Sequence, residues 1–436
     1  MAVTMDLIAL DNAIDVTIPV PGDKSLTHRG ILFSLLARGD MEISGWLDAG
    51  DTRSSLNVVQ ALGVQLIEEH PDRLVLRGTG HPEEPLVPLD CGNSGTTMRL
   101  TSGLALAVPG LVVLTGDSSL AERPMARVIQ PLRKLGVSIL ARSQSRAPLA
   151  IQGGNHSGGQ FALSVASAQV KSALLLAGIT ANEPVTVREP ALSRDHTERL
   201  LTAMGARLKT DSKTGVTVEP GGLHGLTLKV PGDPSAAGFW GALAALAPHR
   251  SVNIPSMLFN STRTGFFRVM ERMGVGLTWI LKGESPEPWG SVRVFGQTLS
   301  PVTLTEEDVP AMVDEVPLLA LLATQAPGTS VIRGARELRV KESDRIWVTA
   351  TILRAMGATV DVHEDGWTIY GPTRLHGASV DARGDHRMAM LAAVAATIAE
   401  GHTILEGGQS VAISYPQFFS QYRALCQPPR PHGRSL

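Results

Sequence analysis

The sequence predicts an α/β (α+β) protein of two lobes, built from six similar units shared three to a lobe. Three observations point there. Helix-like segments end on Leu/Met-Gly-Val/Ala at Gly63, Gly136, Gly205, Gly274 and Gly357, at intervals of 73, 69, 69 and 83 residues. Ala/Leu-rich segments start near Ser25, Asn93, Ser167, Pro234, Val313 and Asp385, interleaved with the first series. Val-Pro-Gly-Asp occurs twice, at 20–23 and 230–233, each time ahead of an apolar run. Self-similarity at a period near seventy residues marks a repeated supersecondary unit.

In the first series, a glycine just past a helical pattern is the expected left-handed C-cap, and the β-branched stretch that often follows reads as a strand. A sixth member, "PQFFSQYRALC", arrives where the next unit falls, but the chain ends before its strand. The N-terminal "DVTIPV" is the candidate for that missing strand. The second series is apolar nearly all round, which predicts buried helices rather than surface ones. Both VPGD stretches read as crossover points, giving one lobe over 21–231 and another over 1–20 plus 232–436. The stretch "LKGESPEPWGSVRVFGQ" (281–297) reads as a surface insertion, and the Pro-rich end makes 427–436 a flexible tail. A solenoid is disfavoured, because the period varies and no polar capping repeats appear.

Composition narrows the function classes. A 43% hydrophobic and 18% charged chain of 436 residues is that of a soluble, two-domain protein. A net charge of −2 disfavours a nucleic-acid surface, and the apolar runs at 316–323 and 388–399 are too short or too Ala-rich to span a membrane. The first sixteen residues hold three Asp and no Lys or Arg, so neither a secretory nor an organellar leader is expected, and the cytoplasm is the expected compartment. Cys91 and Cys426 make no disulfide framework, and the scattered His residues lack metal-ligand spacing, so no metal is expected.

Charge sits where apolar helices begin. Lys24, Ser25 and Arg29 head the first; Gly95 and Arg99 the second; Ser167, Gln169 and Lys171 the third. Asp314 and Glu315 head the fifth, and Asp385, His386 and Arg387 the sixth; the fourth, "PSAAGFWGALAAL", has none after Asp233. Ionisable groups on a buried helix are costly unless they face water, a partner or a ligand, and helix N-termini favour anions. The amphipathic helices add Arg123, then Arg194 with Asp195, then Lys341, Glu342, Asp344 and Arg345 in "RVKESDRIW". Heads converging on one cleft make an anion trap. "CGNSGTT" suits a backbone anion nest but lacks the Gly-Lys-Ser/Thr ending of a nucleotide loop.

The motifs "PGDKSLTHR", "GNSGTTMRL", "ERPM", "SAQVKSALLLAG", "RVKESDRI" and "GDHRMAM", in that order over nearly the whole chain, resemble those of the 5-enolpyruvylshikimate-3-phosphate synthase family. The resemblance implies a two-lobed inside-out α/β barrel of six βαβαββ units that closes over substrate. It implies transfer of the enolpyruvyl group of phosphoenolpyruvate to the 5-hydroxyl of shikimate 3-phosphate, with release of phosphate, by a monomer needing no cofactor. By motif match, Asp314 accepts the hydroxyl proton, while Glu342 and Lys24 handle protonation and deprotonation around the tetrahedral intermediate. Arg123, Arg345 and Arg387 grip phosphoenolpyruvate, with Gly95 at its pocket wall, Lys24 and Gln169 beside it and His386 nearby. Lys24, Ser25, Arg29, Ser167, Gln169, Asp314 and Lys341 hold shikimate 3-phosphate. Three positions depart from the common pattern. Ala168 replaces a second Ser, Arg194 replaces an aromatic residue and supplies an alternative anionic contact, and Ile413 stands where a substrate-touching Lys often lies. The sister family acting on UDP-N-acetylglucosamine carries a lid Cys and an Asn after the first motif's Lys. Here "TGDSSLAERPM" has no Cys, and Ser25 follows Lys24.

Overall fold

The computed structural model describes residues 4–10, 13–211 and 215–426, whose strands form six sheets. The third unit shows the plan. Strand Gly159–Ala162 leads into the inner helix Ala168–Thr180, then strand Val185–Arg188, the outer helix His196–Ala203, and the strands Leu208–Thr210 and Gly215–Val218. The leading strand lies parallel to the second, and the closing hairpin adds antiparallel to it. The five predicted C-cap glycines all adopt left-handed φ, between +89° and +100°, a conformation that any side chain would strain. Inner helices are buried as their composition demands: all twelve residues of Pro234–Ala245 and all eleven of His386–Ala396 are buried. Among the described residues, no helix is long and apolar enough to cross a membrane.

Two units borrow their leading strand from elsewhere in the chain. The first sheet, around Ala37–Ser44, receives Leu223–His224 and Thr227–Lys229; the fourth, around Arg250–Leu258, receives Ile14–Thr17. Each borrowed segment runs straight into a VPGD stretch, and there the chain changes lobe. Gly22 and Gly232 meet in an antiparallel bridge, with Asp23 N donating to Pro231 O at 2.7 Å and Asp233 N to Pro21 O at 2.9 Å. A Cβ on Gly22 would lie 1.9 Å from Gly45 O, and one on Gly232 2.3 Å from Ser256 O, so only glycine fits either position. Each aspartate then caps its inner helix, Asp23 accepting from Leu26 N and Asp233 from Ser235 N.

Two expectations are corrected. "DVTIPV" does not complete the sixth unit: its Asp15–Thr17 portion, within strand Ile14–Thr17, is held in the fourth sheet because it must enter the crossing at 20–23. The sixth sheet is instead finished by Thr4–Ile8, antiparallel to His402–Glu406. Nor is 281–297 a surface insertion. Gly276–Gly283 and Trp289–Phe295 are paired strands of the fourth sheet, with Val292 and Val294 fully buried. The Gly and Pro residues of "GESPEPWG" mark only the hairpin turn between them, and they masked the alternation on either side. The expected tail at 427–436 lies outside the described residues.

Buried apolar side chains form two clusters, one from Leu26 to Val230 with Leu258, the other from Leu7 to Ile18 and Ala236 to Tyr422. At the crossing, buried Arg263 spans both aspartates, with Nη1 3.0 Å from Asp23 Oδ2 and Nη2 2.8 Å from Asp233 Oδ1. Replacing it strands two buried carboxylates. Arg263→Leu is expected to destabilise the fold by about 3–5 kcal/mol in a denaturant titration; an unchanged midpoint would show that the pairs contribute nothing.

Candidate active site

Side-chain caps start five of the six inner helices: Asp23, Ser94, Ser167, Asp233 and Asp385 each accept a first-turn N–H. An abrupt start leaves the next residues free to face the cleft between the lobes. Lys24, Ser25, Arg123 and Arg194 reach that cleft from one lobe; Asp314, Lys341, Glu342, Arg345, His386 and Arg387 reach it from the other.

Asp314 is the focus. Arg194 Nη2 lies 2.9 Å from its Oδ2 and Arg345 Nη1 3.2 Å from its Oδ1, with Lys341 Nζ at 3.7 Å and Arg387 Nη2 at 3.8 Å. Burial alone would raise this carboxyl, but Arg387, Lys341, Arg194 and Arg345 hold it well below the usual carboxylate range. Glu342 is held similarly: burial opposes its charge, and Arg345, His386, Arg123 and Lys24 more than offset that. Arg345 Nη2 donates to Glu342 at 2.5 Å, and Arg123 Nη1 stands 3.8 Å away across the cleft. Lys24 Nζ contacts Asp51 at 3.0 Å. Arg345 is 1% exposed and its Nε donates to Asp385 at 2.8 Å, so a cation at a helix N-terminus is fully countered. Burial pushes His386 down to about 4, leaving a neutral ring at pH 7 with both nitrogens buried and unpartnered; Arg123 Nε is likewise buried and unpartnered. Orphaned buried donors in a cleft call for a partner that arrives from solution.

Other predicted residues stand further back. Gln169 accepts from Arg99 Nη1 at 2.6 Å and donates to Thr96 Oγ1. A Cβ on Gly95 would lie 3.1 Å from that Arg99 nitrogen and 3.3 Å from Arg123 Nη1, so Gly95 forms the wall between them. The described bonds of Ser167 go to Val170 and Glu189, outside the charged cluster. All three guanidinium nitrogens of Arg29 donate within the protein, to Thr197, Ser172 and the Ser25 carbonyl, so Arg29 backs the site from below. Lys171 lies buried between Glu189 and Glu198 and belongs to the core. Ile413 is half-buried, and the wall beside it is lined by Lys24, Arg387, Ser414 and Tyr415.

A family model described as EPSP synthase (3-phosphoshikimate 1-carboxyvinyltransferase) matches residues 9–422. The chain belongs to the EPSP synthase family. A 3-phosphoshikimate 1-carboxyvinyltransferase of Herpetosiphon aurantiacus is 44% identical over 416 residues, covering 94% of this chain and 96% of the relative. One from a Synechococcus species is 46% identical over 418 residues, covering 94% and 95%. Among solved structures, an EPSP synthase from Acinetobacter baumannii superposes with a TM-score of 0.88 at 36% identity, covering 98% of each chain. The enolpyruvyl transferase NikO of Streptomyces tendae, at 17% identity and TM-score 0.80, shares the fold. The EPSP synthase family thus accounts for the six-unit, two-lobed architecture.

Residues to which sequence reading gave no role in the site complete this EPSP synthase cleft. Asp51 pairs with Lys24, Arg263 ties the crossing, Asn93 Oδ1 accepts from Arg123, and Asp385 orients Arg345. A signal existed for two of them. Asp51 and Arg263 stand at the heads of outer helices Gly50–Ala61 and Gly265–Arg272, the position that Arg123, Arg194 and Arg345 occupy in other units. Asp314 and Glu342 lie below their ordinary values of 3.8 and 4.5, so their ion pairs stabilise the fold above that range, and the stabilisation is lost as pH falls through the lowered values. Inorganic phosphate is expected to compete for Arg123 and Arg345 and so to raise the Glu342 pKa, read from its carboxyl 13C shift; a titration unmoved by phosphate would show that these cations do not face the ligand.

Proposed function

We propose that the protein transfers the enolpyruvyl group of phosphoenolpyruvate to the 5-hydroxyl of shikimate 3-phosphate, releasing phosphate. The observation that carries this reading is the set of cations from both lobes converging on two carboxylates, with unpartnered donors left on Arg123 and His386. Two substrates rich in negative charge match that surplus. Guanidinium forks suit carboxylate and phosphate, which favours Arg123, Arg345 and Arg387 for phosphoenolpyruvate, with Gly95, Gln169 and His386 beside it. Ser25, Arg194, Lys341, Ser167 and Gln169 take shikimate 3-phosphate, with Arg29 supporting Ser25.

Addition needs a base at the 5-hydroxyl and a proton for the methylene carbon; elimination reverses the second transfer. Asp314 is ionised, faces both lobes and can accept a proton as the hydroxyl attacks. Glu342 starts as a carboxylate locked by Arg345 and Arg123. Once the anionic groups of phosphoenolpyruvate draw those cations, its pKa rises and it can carry the proton, with Lys24 as the second group at the reacting centre. The same cations then stabilise charge that develops in the transition state. No metal or organic cofactor enters the scheme. Both sides of the cleft come from one chain, which supports a working monomer. The unpaired Cys91 and Cys426 suit a reducing compartment such as the cytoplasm.

A phosphate-release assay with both substrates tests the whole reading: no turnover by folded protein ends it. Asp314→Ala or Glu342→Ala is expected to cut kcat by roughly 10²–10⁴ while substrate still binds; near-normal rates remove that residue from the chemistry. Gly95→Ala puts a methyl against Arg99 and Arg123, so inhibition by glyphosate, the family's inhibitor, is expected to weaken. An unaltered inhibition constant would place Gly95 away from the phosphoenolpyruvate pocket.

A further inference from the structure

Behind Arg194, where the lobes meet, lies a buried polar cluster that the chemistry above does not use. His196 is inaccessible to solvent, and its Nδ1 lies 2.7 Å from Glu287 Oε1. Asn260 Nδ2 donates to Glu287 Oε2 at 2.8 Å and to Asp195 Oδ1 at 2.6 Å. Arg199 Nε donates to Asp195 Oδ2 at 2.8 Å and stands 3.8 Å from Glu287. Asp195, His196 and Arg199 come from one lobe, Asn260 and Glu287 from the other.

The helix His196–Ala203 starts without a side-chain cap, because Asp195 commits its carboxylate to Asn260 and Arg199. Its first turn is therefore set by the opposite lobe. Residues on both sides of this clamp lead to the site. Arg194 precedes it and reaches Asp314; Thr197 follows it and accepts from Arg29 Nε at 2.8 Å. Burial pushes the Glu287 carboxyl up to about 7. Apolar residues would join two lobes at lower cost than a carboxyl only 1% exposed. What the carboxyl adds is direction, since its two oxygens orient the His196 ring and the Asn260 amide separately.

We propose that Glu287 is a positioning residue for the shikimate 3-phosphate half of the site, acting through His196 and Asn260 to hold Arg194 on the cleft. The proposal rests on the reading of Arg194 given above. A misplacement of about 1 Å far from the chemistry can cost on the order of a hundredfold, so loss of the clamp is read in kinetics. Glu287→Ala is expected to raise KM for shikimate 3-phosphate about tenfold, with KM for phosphoenolpyruvate and kcat within about threefold. Glu287→Gln keeps an acceptor for His196 and is expected to recover most of the loss. Combined with Arg194→Ala, Glu287→Ala should add little, because both act through one guanidinium.

A mere staple between lobes would lower the melting temperature and leave the ratio of the two KM values unchanged. That result, or full additivity with Arg194→Ala, overturns the proposal. Should Glu287→Ala fail to fold by circular dichroism, Asn260→Ser is read by the same criterion. Arg194→Ala alone separates the two levels. An unaltered KM for shikimate 3-phosphate means that the site reading has failed; a raised one with Glu287→Ala silent means that only the positioning role has failed.

Discussion

The paired crossing held by Arg263 is the constraint on which the rest depends. Two segments with the same four residues must pass side by side, each leaving a sheet in one lobe to start a buried helix in the other. That need explains the duplicated signal. Proline and glycine shape the passage, and aspartate caps the helix that follows. The same need explains why charge is unequal between the copies. One inner helix puts Lys24 into the cleft, while its counterpart begins with Pro234 and carries Ser235 toward Arg263 and Glu315. The crossing uses both aspartates, whereas only the first copy is followed by a lysine.

Charge balance in the cleft follows from that convergence. Within their own lobe Asp314 and Glu342 already meet Lys341, Arg345 and Arg387. Brought together, Arg194 meets Asp314 and Arg123 faces Glu342. On the function proposed above, the protein's own carboxylates stand in for anionic ligands, and entering substrates exchange one set of counter-charges for another. Such exchange keeps the cations oriented throughout, which is the condition under which fixed charges stabilise a transition state most effectively.

Much of this was legible in the chain because the structural signals are local and repeated. Glycine at Gly63, Gly136, Gly205, Gly274 and Gly357 reports a backbone angle, and an all-apolar helix reports burial whatever surrounds it. The convergence of Lys24, Arg123, Asp314, Glu342, Arg345 and Arg387 was legible through family motifs. Partnerships were not. Nothing near Arg263 in sequence announces Asp23 and Asp233, and nothing near Glu287 announces His196, because those pairs join positions 240, 30 and 91 residues apart that only the folded chain brings together. Periodicity also failed where one strand could serve two sheets. "DVTIPV" and "TMDLI" both suit an edge, and only the path into the crossing decides which sheet each joins.

The borrowed strands bear on how the molecule is made. As the chain leaves the ribosome, Ile14–Thr17 must wait for Arg250–Leu258, and Thr4–Ile8 for His402–Glu406, before either finds its sheet. The first lobe can assemble once Thr227–Lys229 has emerged, but Thr4–Ile8 stays unpaired until His402–Glu406 has been translated. Contacts this distant in sequence are slow to form, so a nascent chain that stalls before His402–Glu406 leaves Thr4–Ile8 as a loose strand available to neighbours.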